Sequence, residues 1–307
     1  MIILVKRFFN IFLTWQKFSA MSKNNNPVVQ NSDIPKLIKL LGRLLQLVSP
    51  VLAAKFASKL FITPIKYKTP KRELHMLNDS SQEDLYVPAI NKTIRIYHYG
   101  NSDKKVLLVH GWSGRGTQLV KIADELLKAG YATISFDAPA HGKSEGKTTI
   151  MTEFIASVLE LDKRYGNFEF AIGHSLGGMT VLNAIRQNLI LKKAVIIGSG
   201  DVIQDIVDEF IDKLTLKPEI GRILKIKFEK KFGEPMENYS SNVAARFVDI
   251  PVLIVHDEDD EDVPLKAAIN IHKYLKNSEI FITKKMGHRK ILGNEGVLKQ
   301  ILDFLEK

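Results

Sequence analysis

A serine flanked by glycines stands between a short apolar run and a helical pattern. Gly173-His174-Ser175-Leu176-Gly177-Gly178 follows the apolar residues 168–172 and precedes a helical repeat over 179–188. A Gly-x-Ser-x-Gly turn joining a buried strand to a helix lifts the hydroxyl to the carboxyl end of a sheet. Small flanking residues let backbone and substrate approach it where a bulkier side chain would collide. Few features constrain a chain more, because the motif demands a strand before it, a helix after it and a sheet to carry both.

A serine hydroxyl is a poor nucleophile near neutrality. It needs a base, and the base needs a carboxylate to hold its tautomer. Residues 279–283 read as a strand, followed by Lys284-Lys285-Met286-Gly287-His288 and a helical pattern over 291–306. His288 is therefore expected on a loop after a strand, where a general base is useful. Between serine and histidine, the apolar strand 251–255 ends in His256-Asp257-Glu258-Asp259-Asp260-Glu261-Asp262-Val263-Pro264. Several carboxylates crowd that turn.

From about Glu73 to its end the chain resembles the α/β-hydrolase superfamily, in its serine esterase and lipase branch. Four blocks carry the likeness: Leu107-Leu108-Val109-His110-Gly111-Trp112-Ser113-Gly114, Phe136-Asp137-Ala138-Pro139-Ala140-His141-Gly142-Lys143-Ser144, the serine turn, and the acid and histidine loops. The order serine, acid, histidine is also that of the fold. Such proteins commonly show Gly-x-x-Asp-x-x-Val-Pro after the seventh strand. Carried over, the resemblance makes Asp260 the acid, with Asp257 standing where glycine is usual. Asp257 and Asp259 stay as alternative acids, and Asp262 is also near. Ala140 replaces the usual glycine of a Pro-Gly-His-Gly turn.

By the same resemblance the catalytic set is Ser175, Asp260 and His288, with an oxyanion hole built from the backbone N–H groups of Leu176 and Trp112. The Trp112 side chain would lie beside the acyl pocket or simply pack its loop. His110 and His141 belong to turns and read as structural. His174 is the variable residue of the serine turn, and His256 ends a strand. No His, Asp or Glu cluster has metal-ligand spacing, and the chain lacks cysteine. Residues 111–116 lack the Gly-x-Gly-x-x-Gly spacing of a dinucleotide site, and no phosphate loop occurs. No cofactor and no metal are expected.

Strand-like runs at 106–109, 132–136, 168–172, 194–197, 251–255 and 279–283 alternate with helical patterns. That alternation calls for an α/β fold, a mostly parallel central sheet flanked by helices. Residues 85–88 and 93–99 suggest an antiparallel hairpin at its edge. The catalytic domain is expected over 73–307. Within it, helical repeats at about 201–235 form a small cap over the serine, or else cover the sheet flank.

Charge separates the remaining 72 residues. They hold 13 Lys and Arg and one acid, Asp33, for a net +12; residues 73–307 hold 31 and 33, so the overall +10 belongs to this N-terminal helical extension. A nucleic-acid partner is not expected, since the hydrolase region is nearly neutral. Residues 34–48 place Leu37, Leu40, Leu41, Leu44 and Val48 on one helix face with Lys36, Lys39 and Arg43 elsewhere, and a second helix is expected over 51–61. Asp33 and Pro35 suit the start of the first. Such basic amphipathic helices fit an anionic membrane surface or packing on the catalytic domain, with lysines in water. Residues 1–20 are too interrupted by charge to span a membrane and lack a signal-peptide cleavage pattern. Met21, before the polar stretch 22–31, is an alternative start. A cytoplasmic location is expected, with association at the inner membrane face as an option.

The function expected is hydrolysis of a small-molecule carboxylic ester with an apolar acyl group through an acyl-enzyme. The same fold also cleaves thioesters, amides and carbon–carbon bonds. A non-catalytic, membrane-associated binding module is the alternative from another class.

Overall fold

The computed structural model describes residues 34–307. The expectations for residues 1–20, for Met21 and the polar segment after it, and for Asp33 lie outside the described residues. The described residues open with α1 (Lys36–Val48), whose N-cap is Pro35, then α2 (Pro50–Phe61) and α3 (Leu74–Asp79). A hairpin, β1 (Ser81–Val87) and β2 (Lys92–Tyr99), precedes β3 (Lys105–Val109), α4 (Val120–Lys128), β4 (Ala132–Asp137) and α5 (Met151–Tyr165). The serine turn joins β5 (Phe168–His174) to α6 (Leu176–Arg186), and β6 (Lys193–Ile197) follows. Next come α7 (Ile203–Lys213), α8 (Pro218–Phe232), α9 (Ser241–Ala245) and β7 (Val252–Asp257). The chain closes with α10 (Leu265–Tyr274), β8 (Ser278–Thr283), α11 (Gly287–Lys290) and α12 (Glu295–Glu306).

The eight strands form one sheet in the order β1-β2-β4-β3-β5-β6-β7-β8. β1, β2 and β4 pair antiparallel, and every pairing from β4–β3 to β7–β8 is parallel. This is the α/β architecture expected, with the hairpin at one edge. Because successive strand residues face opposite ways, a strand covered on both sides must be apolar throughout. Leu107, Val109, Ile134 and Phe136 face one layer, packed by Phe154 and Val158 of α5, Val181 and Leu182 of α6, and Ile271 of α10. Val106, Leu108, Ile172 and Val195 face the other, packed by Ile122 and Leu126 of α4 and Ile301 and Phe304 of α12.

A third apolar cluster stands apart from the sheet. It joins Val207 and Ile211 of α7 and Ile220, Leu224 and Phe228 of α8 to Ala53, Ala54 and Ala57 of α2, and reaches Met179 on α6. Small residues let α2 lie close against α8. α1 follows with Gly42, where a side chain would press on Leu216 at 3.2 Å. Among the described residues no helix is long and apolar enough to cross a membrane.

One local feature differs from the plain sequence reading. His288 sits in the short helical turn α11 rather than on an open loop. Gly287 takes φ 59°, and Asp257 accepts the N–H groups of Met286 and Gly287, which closes the turn early. Ala140 has φ 65°, the left-handed conformation for which related turns use glycine.

Candidate active site

The serine turn is strained by its own geometry. Ser175 has φ 55° and ψ −120°, a backbone conformation that a residue with a Cβ rarely adopts. Its N–H bonds the Ile197 carbonyl at 2.9 Å, which ties the turn to the end of β6. Gly177 is needed because a Cβ there would collide with the carbonyl oxygen of Val109. Leu176 begins α6, so its N–H lies among the first helical donors, which have no partner within the helix.

His288 meets one of the candidate carboxylates. Its Nδ1 lies 2.7 Å from Asp260 Oδ2, and since an ionised carboxylate only accepts, Nδ1 carries the proton and Nε2 is left as the basic nitrogen. Asp260 Oδ1 accepts the backbone N–H groups of Asp262 and Val263 at 2.9 and 2.8 Å. Burial alone would raise the Asp260 carboxyl, but these bonds and His288 outweigh it and hold the pKa below the usual carboxylate range. Gly198, with φ 54°, leaves the space the pair occupies: a Cβ would stand 3.2 Å from His288 Nδ1 and 3.3 Å from Asp260 Oδ2. The sequence reading did not single out Gly198, whose requirement arises only when β6 is laid beside β7.

The other acids are engaged elsewhere. Asp257 takes the Thr283 hydroxyl at 2.7 Å and the N–H groups of Asp259, Met286 and Gly287 at 2.9–3.2 Å, tying β7 to β8 and to the loop that bears His288. Asp259 accepts the Lys285 N–H at 2.8 Å, and Asp262 lies 3.4 Å from Arg289. His256 bonds the Val263 carbonyl.

Two buried histidines brace the loop after β3. His110 Nδ1 donates to the Gly111 carbonyl while Nε2 accepts the Ala138 N–H. His141 donates from Nδ1 to Pro139 and accepts the Ser113 N–H on Nε2 at 3.0 Å. Burial keeps both rings neutral, with His110 lowered to about 4. Trp112, 37% exposed, sets its ring edge-on to His141 with centroids 5.4 Å apart. Below the same loop, Glu73 is fully buried and accepts from Arg115 and from the Thr117 hydroxyl, each at 2.8 Å. No local sequence pattern announced that ion pair.

Ser175, His288, Trp112 and Leu176 open on one cavity of about 2760 Å³. Its far walls come from α7 and α8, through Ile206, Phe210 and Phe228, and from Ile34, Ile38 and Phe61 of the N-terminal helices. Among the described residues no group of His, Asp and Glu could hold a metal ion. A hydroxyl at a strained turn, a histidine oriented by a carboxylate and N–H donors at a helix start can together attack and stabilise a carbonyl.

The fold recurs widely among solved structures. An esterase from Exiguobacterium antarcticum aligns at 16% identity over 73% of this chain and 99% of its own, with TM-score 0.57. A membrane phospholipase A described as a bacterial virulence factor aligns at 16% identity over 88% and 96%, with TM-score 0.59. A bromoperoxidase from Bacillus anthracis aligns at 18% identity over 74% and 99%, with TM-score 0.57. At these identities the likeness is one of fold, and the three reactions differ. No curated protein sequence matches the chain. A family model described as "Alpha/beta hydrolase family" matches residues 106–288, more than half of the chain. The chain belongs to the alpha/beta hydrolase family.

Proposed function

We propose that the protein is a serine hydrolase that cleaves a small-molecule carboxylic ester through an acyl-enzyme. The observation that carries this reading is the His288 Nδ1–Asp260 Oδ2 bond of 2.7 Å, which orients the histidine that lines one cavity with the strained Ser175. In this reading His288 Nε2 takes the proton as Ser175 Oγ attacks the carbonyl, and Asp260 stabilises the imidazolium. The N–H groups of Leu176 and Trp112 hold the oxyanion, each contributing about 3 kcal/mol to the transition state. His288 then returns the proton to the leaving alcohol, and water, activated by the same nitrogen, releases the acid. The helices α7 and α8 form the cap that selects the substrate, and their apolar walls favour an apolar acyl group.

Fluorophosphonate labelling with mass-spectrometric location of the adduct tests the reading. A single adduct on Ser175, abolished by His288→Ala, followed by turnover of acyl esters faster than of acyl thioesters of equal length, is expected. A folded protein that takes no label, or full esterase activity in Ser175→Ala, would overturn it.

A further inference from the structure

Helix α1 carries more apolar surface than the fold uses. At about 100° of rotation per residue, Ile38, Gly42 and Leu45 form the side turned to the core. The next arc, roughly 100° wide, holds Leu47, Leu40, Leu44, Leu37 and Val48. All five are between 51% and 81% exposed, and Val51, at the start of α2, adds 64%. Lys36, Arg43 and Lys39 lie beyond that arc, along its edge. A helix that only packed on the domain would put its cations where these leucines stand. Single exposed leucines are ordinary, but four leucines and a valine on one helix face form a contiguous patch of the kind that marks an interaction surface.

The charge around the patch selects the occupant. Residues 34–72 hold nine Lys and Arg and no Asp or Glu, against a hydrolase region that is net negative. We propose that this face of α1 docks the protein on an anionic lipid bilayer, with Leu37, Leu40, Leu44 and Leu47 entering the headgroup–acyl boundary and the cations at the edge meeting lipid phosphates. This is the arrangement an interfacial helix requires: an apolar arc bordered by basic residues. The helix that carries the docked face walls the cavity with its core side, where Ile38, together with the preceding Ile34, lines it along with Ser175. Docking therefore leaves α1 between the lipid surface and the cavity. Delivery of an amphiphilic ester from that surface rests on the hydrolase reading, whereas the docking does not.

The test is co-sedimentation of the full chain with vesicles of phosphatidylcholine, and of phosphatidylcholine containing phosphatidylglycerol. Hydrolysis of a water-soluble short-chain ester and a thermal melt are measured alongside. The wild type is expected to bind the anionic vesicles. Leu40→Gln/Leu44→Gln/Leu47→Gln should bind at least about tenfold more weakly, with melt and soluble-ester rate unchanged. Lys36→Gln/Lys39→Gln/Arg43→Gln should lose about tenfold or more of the binding to anionic vesicles and keep its weak binding to phosphatidylcholine. A leucine variant that binds like wild type would overturn the proposal by assigning any binding to another segment. So would a wild type that ignores both vesicles, or a wild-type dimer that this variant converts to monomer without any vesicle binding. Vesicle binding is read without turnover, so an unreactive Ser175 would sink the hydrolase reading and leave the docking intact.

Discussion

His174 Nε2 donates to the carbonyl of His288 at 2.9 Å, and the two rings stand with centroids 4.6 Å apart. The residue immediately before Ser175 thus holds the backbone of the proposed base. The proposed nucleophile and base are joined through the chain at one end and through this bond at the other. His174 is fully buried and kept neutral, chiefly by desolvation.

His174 is expected to act as a positioning residue. His174→Ala should lower kcat about 10- to 100-fold with KM little changed, because a misplacement near 1 Å is costly in an oriented site. His174→Gln, which keeps a donor, should recover part of the loss. Fluorophosphonate labelling rates should follow kcat rather than the melting temperature. Labelling that tracks stability alone would reduce His174 to a packing residue.

The acidic turn should separate catalysis from stability. Asp260→Asn would point an N–H₂ group at His288 Nδ1 and impose the wrong tautomer, so kcat should fall about 10³- to 10⁴-fold with the fold intact. Asp257→Asn would set a donor against the donors its carboxylate now accepts. A destabilisation of about 1–3 kcal/mol is expected, with the folded fraction still labelled at Ser175. Steady-state kinetics and urea melts on both variants check this. A stable, inactive Asp257→Asn beside an active Asp260→Asn would reverse the assignment.

Acid should weaken the fold well before Asp257 and Asp260 titrate. Desolvation lowers His110 to about 4 and holds His141, His174 and His256 below the usual imidazole range. Each is disfavoured as imidazolium in the folded state. Its contribution is complete above the unfolded value near 6.5 and is lost as the pH falls from there toward the folded value. Asp257 and Asp260 are held below their ordinary values, so their contribution persists until the pH falls below about 4. Urea stability should therefore drop between pH 7 and 5, with roughly 1–2 kcal/mol from His110 alone. A flat profile across that window would contradict the neutral buried rings.

Strain at the serine turn should be measurable as stability. Ser175→Gly relieves the φ 55° conformation, whereas Ser175→Ala keeps a Cβ in the same strained position. The glycine variant should be about 1 kcal/mol more stable than the alanine variant, although glycine ordinarily weakens a structured position. Equal thermal stabilities for the two would show that the turn stores no strain.

Much of this architecture is legible in the sequence because its signals are local. Each parallel strand is a short apolar run, and Ser175 announces its turn through its neighbours. Asp260 comes only from the family resemblance, with Asp257 and Asp259 left open, and it is Asp260 that lies against His288. What is not legible depends on distant partners. The Glu73–Arg115–Thr117 cluster forms across 44 positions with no pattern at either end, and Gly198 is required only by side chains 62 and 90 residues away. The amphipathic signal of residues 34–61 left packing and membrane contact both open, and compatible. The structure divides the segment, with Ala53, Ala54 and Ala57 buried and Leu40, Leu44 and Leu47 in water.

The burial of α2 against α8 means that the roof above Ser175 is assembled from two stretches separated by well over a hundred positions. An exchange of the segment between β6 and β7 with a relative would carry over only part of that roof and leave it without the alanine bed on which α8 rests. Redesigning the proposed cap in this chain therefore means treating residues 50–61 and 203–232 as one inheritable unit.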